Sequence, residues 1–171
     1  MVASSRRAGS GVAAGEVLAQ LRRLSATLAT AESLTGGRLA ASLTAVPGAS
    51  DVFRGGVVAY ATEVKVAVLG VPEEVVASVG VVSAQCAAAM ARGVRALTGA
   101  TYGVATTGVA GPTEQEGKRV GTVFVAVAGP DGGPTLALEL PGSREQVVSR
   151  TCAEALGALL AVLADAPGPT G

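Results

Sequence analysis

The segment Thr27–Thr44, TLATAESLTGGRLAASLT, decides the fold. Thr27 to Ala31 is a small β-like run, and Arg38 to Thr44 reads as helix. Between them stands Glu32-Ser33-Leu34-Thr35-Gly36-Gly37. A strand passing to a helix through a short glycine-bearing loop is the building unit of an α/β sheet. Working outward, Glu16 to Leu24 places Val17, Leu18, Leu21 and Leu24 on one helical face. Val52 to Tyr60 reads as a strand in which Gly55-Gly56 signals a bulge or a close backbone approach. Thr62 is an expected N-cap for a helix to Leu69 closed by Gly70, and Pro72 opens another ending near Gly80. Ser83 caps an alanine-rich helix stopped by Thr98-Gly99, poor enough in charge to be buried on more than one face. Thr101 to Thr107 and Val120 to Ala128 read as strands, and Thr135 to Leu140 alternates as an edge or half-buried one. Ser143 with Gln146 forms a capping box for a last helix to about Leu163. Alternating strands and helices with one late hairpin predict a three-layer α/β/α sandwich with a mixed, mostly parallel sheet.

The chain has 171 residues, enough for one sizeable core. We expect a lead-in over residues 1–15 and a flexible tail over 166–171, flanking one domain at 16–165. Arg6-Arg7 is followed by Gly, Ser and Ala running into Glu16, without the leucine-rich stretch of an export signal. Leu156 to Ala164 is shorter than a membrane span. A cytoplasmic protein without membrane contact is expected. Thirteen basic residues balance thirteen acidic ones, which argues against nucleic-acid binding by bulk electrostatics. The weakly charged, alanine-rich helix surface suits a homo-oligomer.

Histidine is absent, which removes Ser-His-Asp and Cys-His catalysis and histidine-ligated metals. The two cysteines, Cys86 and Cys152, are far apart and in no metal-binding spacing, so neither a metal nor a disulfide framework is expected. Acid-base chemistry then falls to a shifted Lys, Tyr, Glu or Asp. Of thirteen cations only Lys65 and Lys118 are lysines, and lysine, unlike arginine, gives up its proton when desolvated.

Three loops that follow strands carry unusual residues, and ligands in such sheets collect at strand carboxyl ends. In the first, Ser33 either caps the helix or sits beside free N–H groups that can stabilise an oxyanion or phosphate; Gly36 and Gly37 let a ligand approach. In the second, Tyr60 ends a strand and Lys65 follows five positions later. They are either a strand anchor with a solvated lysine or a functional pair. In the third, Thr106-Thr107-Gly108-Val109-Ala110-Gly111-Pro112, two hydroxyls precede a glycine loop able to cradle phosphate or sugar, though no P-loop lysine follows.

A-E-S-x-T-G-G at Ala31 to Gly37, G-x-V-x-Y at Gly56 to Tyr60 with Lys65 beyond, T-G-V-A-G-P at Thr107 to Pro112 and V-G-T-V at Val120 to Val123 occur in order. Together they resemble the C-terminal domain of competence-damage protein CinA, the nicotinamide mononucleotide amidohydrolase (deamidase) family, from about Glu16 to Leu163. The resemblance implies hydrolysis of the carboxamide of nicotinamide mononucleotide to nicotinic acid mononucleotide and ammonia, in pyridine nucleotide recycling. It implies a nucleophile at Ser33, catalytic partners at Tyr60 and Lys65, a hydroxyl residue at Thr107 beside Gly108 and a basic residue at Arg144, whose charge at a helix N-terminus suits the nucleotide phosphate; no cofactor is expected.

Residue chemistry agrees. A free lysine near pKa 10.4 is neutral in only about one molecule in 2,500 at pH 7, so a lysine base needs desolvation. Lys65 or Tyr60 is the base, main-chain N–H groups from Thr35 to Gly37 hold the oxyanion, and Glu32 orients Lys65 or faces the positive pyridinium. The sequence departs from the family pattern at Thr62, often Asn. It departs also at Thr113-Glu114-Gln115-Glu116-Gly117, usually glycine-rich, and at Arg119, which replaces a proline. A different class of reading is a non-catalytic nucleotide-binding or interaction module linked to competence or recombination.

Overall fold

A computed structural model describes residues 3–169. Five strands, β1 (Leu28–Glu32), β2 (Phe53–Val58), β3 (Tyr102–Gly108), β4 (Thr122–Ala128) and β5 (Thr135–Glu139), form one sheet in the order β2-β1-β3-β4-β5. β1 pairs in parallel with both β2 and β3, while β4 runs antiparallel to β3 and to β5. The expected mixed sheet with a late hairpin is therefore the observed one.

The helices are α1 (Ala3–Arg23), α2 (Arg38–Thr44), α3 (Thr62–Ala67), α4 (Glu73–Ser78), α5 (Ala84–Thr98) and α6 (Arg144–Asp165). Strand alternation sends Leu28, Val104, Val123 and Val125 into one core with α1, α2 and α6, and Ala29, Ala31, Ala105 and Ala126 into another with α5. The second face is built of small residues because α5 lies almost on the sheet. A Cβ at Gly103 would land on the Ala91 carbonyl. Ser83 accepts from the Cys86 N–H as the N-cap of α5, Gly99 closes that helix at φ 66°, and the Ser143–Gln146 capping box opens α6. α6 is long and apolar enough to cross a membrane by length and composition, a reach that the stretch Leu156 to Ala164 understates. Half of that apolar window is buried inside the fold, in Val147, Val148, Cys152, Ala155, Leu156, Leu159 and Leu163.

Two expectations need correction. The first helix does not begin at Glu16: most of the lead-in expected over residues 1–15 is its earlier turns, from Ala3 onward, and residues 1 and 2 lie outside the described residues. Thr62 is the first residue of α3 rather than its cap; Ala61 holds that position in extended conformation without a side-chain bond. The 166–169 part of the tail follows the end of α6 as irregular chain, and 170–171 lie outside the described residues.

The Gly55-Gly56 signal has two causes. Leu28 faces Phe53 but Ala29 faces Gly55, so Arg54 is the extra residue of a bulge. A Cβ on Gly56 would strike Thr30 Oγ1 and lie 3.1 Å from the Thr30 carbonyl oxygen. The Thr30 hydroxyl is fully buried and has no hydrogen-bond partner among the described residues. Gly56→Ala will destabilise the fold by about 1–3 kcal/mol, whereas Thr30→Val will be neutral or stabilising by about 1 kcal/mol. Urea denaturation of the two variants measures both signs.

Candidate active site

The chain leaves β1 for β2 on one side and reaches β3 on the other, so a crevice opens at the carboxyl end of β1. The strand ends are laced together there. The Ser33 N–H donates to the Thr106 carbonyl at 3.0 Å, and the Ala59 N–H donates to the Glu32 carbonyl at 2.8 Å. The turn after β1 places Gly36 and Gly37 in succession at φ 57° and 99°, a left-handed path that a side chain would strain. The Gly36 N–H closes this turn on the Ser33 carbonyl. The N–H groups of Leu34, Thr35 and Gly37 have no partner among the described residues, so the turn beside Ser33 keeps main-chain donors available to an anion.

Lys65 comes from α3, the short helix after β2, and is only 1% exposed. Its Nζ lies 2.7 Å from the Ala59 carbonyl, 2.9 Å from Ser33 Oγ and 3.3 Å from the Tyr60 carbonyl. An ammonium donates to all three oxygens. A neutral amine has two N–H donors for the two carbonyls, which leaves its lone pair to accept from the Ser33 hydroxyl. Burial pushes Lys65 below its ordinary value of 10.5, against opposing pulls from Cys86 and Glu116. Cys86 is itself pushed up to about 11 by burial. At neutral pH it stands there as an uncharged thiol, and Glu116 is the anion that remains.

The other expected residues divide between this centre and its scaffold. The Tyr60 ring is 60% exposed, and its hydroxyl accepts from Arg144 Nη2 at 2.9 Å; Arg144 Nη1 donates to the Gly111 carbonyl at 2.6 Å. Tyr60 therefore meets Lys65 through its carbonyl, not its phenol, and Arg144 ties the second loop to the third. Glu32 neither orients Lys65 nor faces a ring. Its side chain is on the opposite face of the sheet, where its two oxygens accept from the Leu39 and Ala40 N–H groups at 2.8 and 3.1 Å and so cap α2. Thr35 shares a buried hydrogen bond of 2.8 Å with Thr106, and Thr107 donates to the Val81 carbonyl at 2.7 Å. These hydroxyls brace the loops rather than lining them free for sugar or phosphate. Gly108 is small because β4 passes close: a Cβ there would lie 2.6 Å from the Thr122 carbonyl oxygen.

Sequence reasoning passed over the segment before α5. Glu116 holds the Val81 and Val82 N–H groups, both at 3.0 Å, with Lys118 3.7 Å from its carboxylate. The Glu116-Gly117 pair was the available signal, since both residues have positive φ, as in a two-residue hairpin turn. Surface depressions between α1 and α6 and between α3 and α4 bring no hydroxyl against an amine. The chemistry belongs to the loop cluster.

A buried lysine against a serine, on an α/β/α sheet at the point where strand order reverses, is an arrangement for activating a hydroxyl. The family pattern described as the CinA C-terminal domain matches residues 12–163, and the chain belongs to that family. It is 56% identical over 153 residues to a CinA-like protein of Frankia casuarinae, covering 90% of this chain and 35% of that protein. It is 48% identical to a putative competence-damage inducible protein of a Geobacillus species, with 85% and 35% covered. The chain thus spans about a third of the length of these curated relatives. Among solved structures it superposes on competence damage-inducible protein A of Klebsiella pneumoniae with a TM-score of 0.90 at 36% identity, covering 92% of this chain and 99% of that one. The competence/damage inducible protein of Agrobacterium tumefaciens gives 0.87 at 32% identity, with 92% and 96% covered.

A lysine whose proton affinity falls on folding opposes folding wherever the unfolded chain still binds the proton. The penalty is full below the folded-state pKa and disappears as pH rises to 10.5. The stability of Lys65→Met relative to the unsubstituted protein will therefore be greater at about pH 7 than at about pH 10. Urea denaturation at the two pH values checks the slope, and a pH-independent difference would mean that Lys65 keeps its ordinary proton affinity.

Proposed function

We propose that this chain hydrolyses the carboxamide of nicotinamide mononucleotide, giving nicotinic acid mononucleotide and ammonia, with Ser33 as nucleophile and Lys65 as base. The observation that carries this reading is the 2.9 Å approach of a desolvated amine to Ser33 Oγ in a protein without histidine.

Neutral Lys65 takes the Ser33 proton as Oγ bonds to the amide carbon. The carbonyl electrons move to oxygen, where the N–H groups of Leu34, Thr35 and Gly37 meet the charge. Collapse breaks the C–N bond, the Lys65 ammonium returns its proton to the departing nitrogen, and ammonia leaves. Water then adds to the ester while Lys65 takes one of its protons. The second collapse returns that proton to Ser33 Oγ and frees the carboxylic acid. Lys65 thus serves as base and acid in turn. Tyr60 belongs to the entrance, since its hydroxyl is held by Arg144.

Arg144 uses two of its five N–H donors on Tyr60 and Gly111. The others, beside the N-terminus of α6, suit the nucleotide phosphate. The reading also takes the protein as cytoplasmic, where pyridine nucleotides are recycled, and as a self-associating one.

Ser33→Ala will lower ammonia release from nicotinamide mononucleotide by about a thousandfold or more with the thermal transition preserved. Turnover near that of the unsubstituted protein would remove Ser33 as nucleophile. Ligand-induced thermal protection without any ammonia from the unsubstituted protein would favour a binding module instead. Arg144→Ala will raise KM about tenfold with a much smaller change in kcat, as expected for a contact that is the same in ground and transition states. Steady-state kinetics separate the two.

A further inference from the structure

The loop between β3 and β4 is fastened to the chain ahead of α5 by charged side chains. Both Glu116 oxygens are engaged, one by the Val81 N–H and one by the Val82 N–H, and a Cβ on Gly80 would strike the carboxylate. From the other side Thr107 donates to the Val81 carbonyl. Lys118 stands 3.7 Å from the Glu116 carboxylate and donates to the Val79 carbonyl at 3.4 Å. The 79–82 segment is therefore gripped from β3 and from the loop together. It leads into Ser83, whose hydroxyl donates to the Gly80 carbonyl and accepts from the Cys86 N–H. Val81, Val82 and Cys86 belong to the same buried cluster as Ala59, whose carbonyl holds Lys65 Nζ.

The backbone supports a purpose for this clasp. Glu116 has φ 53°, a conformation uncommon for a residue with a side chain. It is held in a two-residue turn by reciprocal bonds between Gln115 and Lys118. Strained conformations of this kind persist where the surroundings over-determine them. Here the turn places an anion over two main-chain donors that would otherwise be left unpartnered.

We propose that Glu116 is a positioning residue for the Ser33–Lys65 pair, a clasp by which the 113–119 loop holds the 79–82 segment in place and brings the one lasting negative charge to the amine's surroundings. The proposal rests on the Ser33–Lys65 reading. Ser33 from the β1 loop touches the Lys65 amine, the titratable groups that act on it electrostatically are the Cys86 thiol from α5 and Glu116 from the loop, and Lys118 partly neutralises Glu116. Because Cys86 is uncharged at neutral pH, Glu116 is left as the group that raises the proton affinity of Lys65, in opposition to the larger effect of burial. Removing its charge shifts the appearance of neutral amine to lower pH. Removing Lys118 exposes Lys65 to the full carboxylate charge and shifts it the other way.

The test uses phenylmethanesulfonyl fluoride, which bonds its sulfur to Ser33 Oγ and loses fluoride as the serine proton passes to Lys65. The pH dependence of the labelling rate, followed by intact mass, reports the dyad without relying on any amide substrate. Glu116→Gln will move the acid limb down by about half a unit to one unit, and Lys118→Met will move it up by a smaller step. A uniform fall in rate with an unmoved limb in both variants would reduce Glu116 to a structural brace and overturn the proposal. If Glu116→Gln does not fold, Lys118→Met carries the test alone, and an unmoved or lowered limb overturns the proposal. Unsubstituted protein that is not labelled at Ser33, or Lys65→Met labelled equally fast, would take down the Ser33–Lys65 reading and this inference with it. A Lys65-dependent limb that ignores Glu116 and Lys118 would sink the inference alone.

Discussion

A lysine amine taken almost completely out of water is the constraint around which the rest of the site is arranged. Lys65 is the largest fully buried side chain among the described residues. Such a group destabilises the fold unless its N–H groups find acceptors or it gives up its charge. The structure meets the first condition with two main-chain carbonyls, Ala59 and Tyr60, at the end of the chain leaving β2. Those carbonyls are free for this purpose because β2 is an edge strand that stops at Val58. A lysine on a helix beginning four residues later can turn back to them and reach the neighbouring strand's serine.

The same sheet edge explains why the pair lies where it does. Parallel pairing of β1 with β2 on one side and β3 on the other brings three loops to one end, and reversal of strand order leaves room beside the central one. Small residues on the α5 face, Ala29, Ala31, Gly103 and Ala105, let the helix approach closely. That approach brings Cys86 near Lys65 and excludes water from the amine. Packing and proton affinity are thus linked: a looser α5 would rehydrate Lys65 and raise its proton affinity toward the ordinary value. The clasp at Val81 and Val82 acts at the start of that helix.

Much of this was legible in the sequence because it depends on local rules. The strand–loop–helix at Thr27–Thr44, the caps at Ser83 and Ser143, the glycine stops and the late hairpin each follow from residue types a few positions apart. Scarcity did further work: with no histidine and two lysines, Lys65 stood out before any geometry was known. What was not legible is the direction in which a side chain turns. Glu32 is adjacent to Ser33 in sequence, but alternation along β1 puts the two on different faces, and Glu32 serves the N–H groups of α2. Thr107 and Thr106 read as ligand hydroxyls because the partners that occupy them are 26 and 71 residues away. Glu116 was hidden for the same reason: its two N–H partners are 35 and 34 residues distant.

The amine's valence also determines how the site can replace an imidazole. A neutral imidazole carries a donor and an acceptor on different atoms, so a third group can hold it while it works. A primary amine has both on one nitrogen, and its orientation must be fixed by using up its hydrogens. Two carbonyls at 2.7 and 3.3 Å do this for Lys65, and its third polar contact is Ser33 Oγ at 2.9 Å. On protonation, the third hydrogen is directed to Ser33 Oγ, the oxygen that gives up its proton in the proposed hydrolysis. In the proposed hydrolysis, an arrangement that lets Lys65 act as a base toward serine also lets it act as the acid for the next step, with no further side chain required to move.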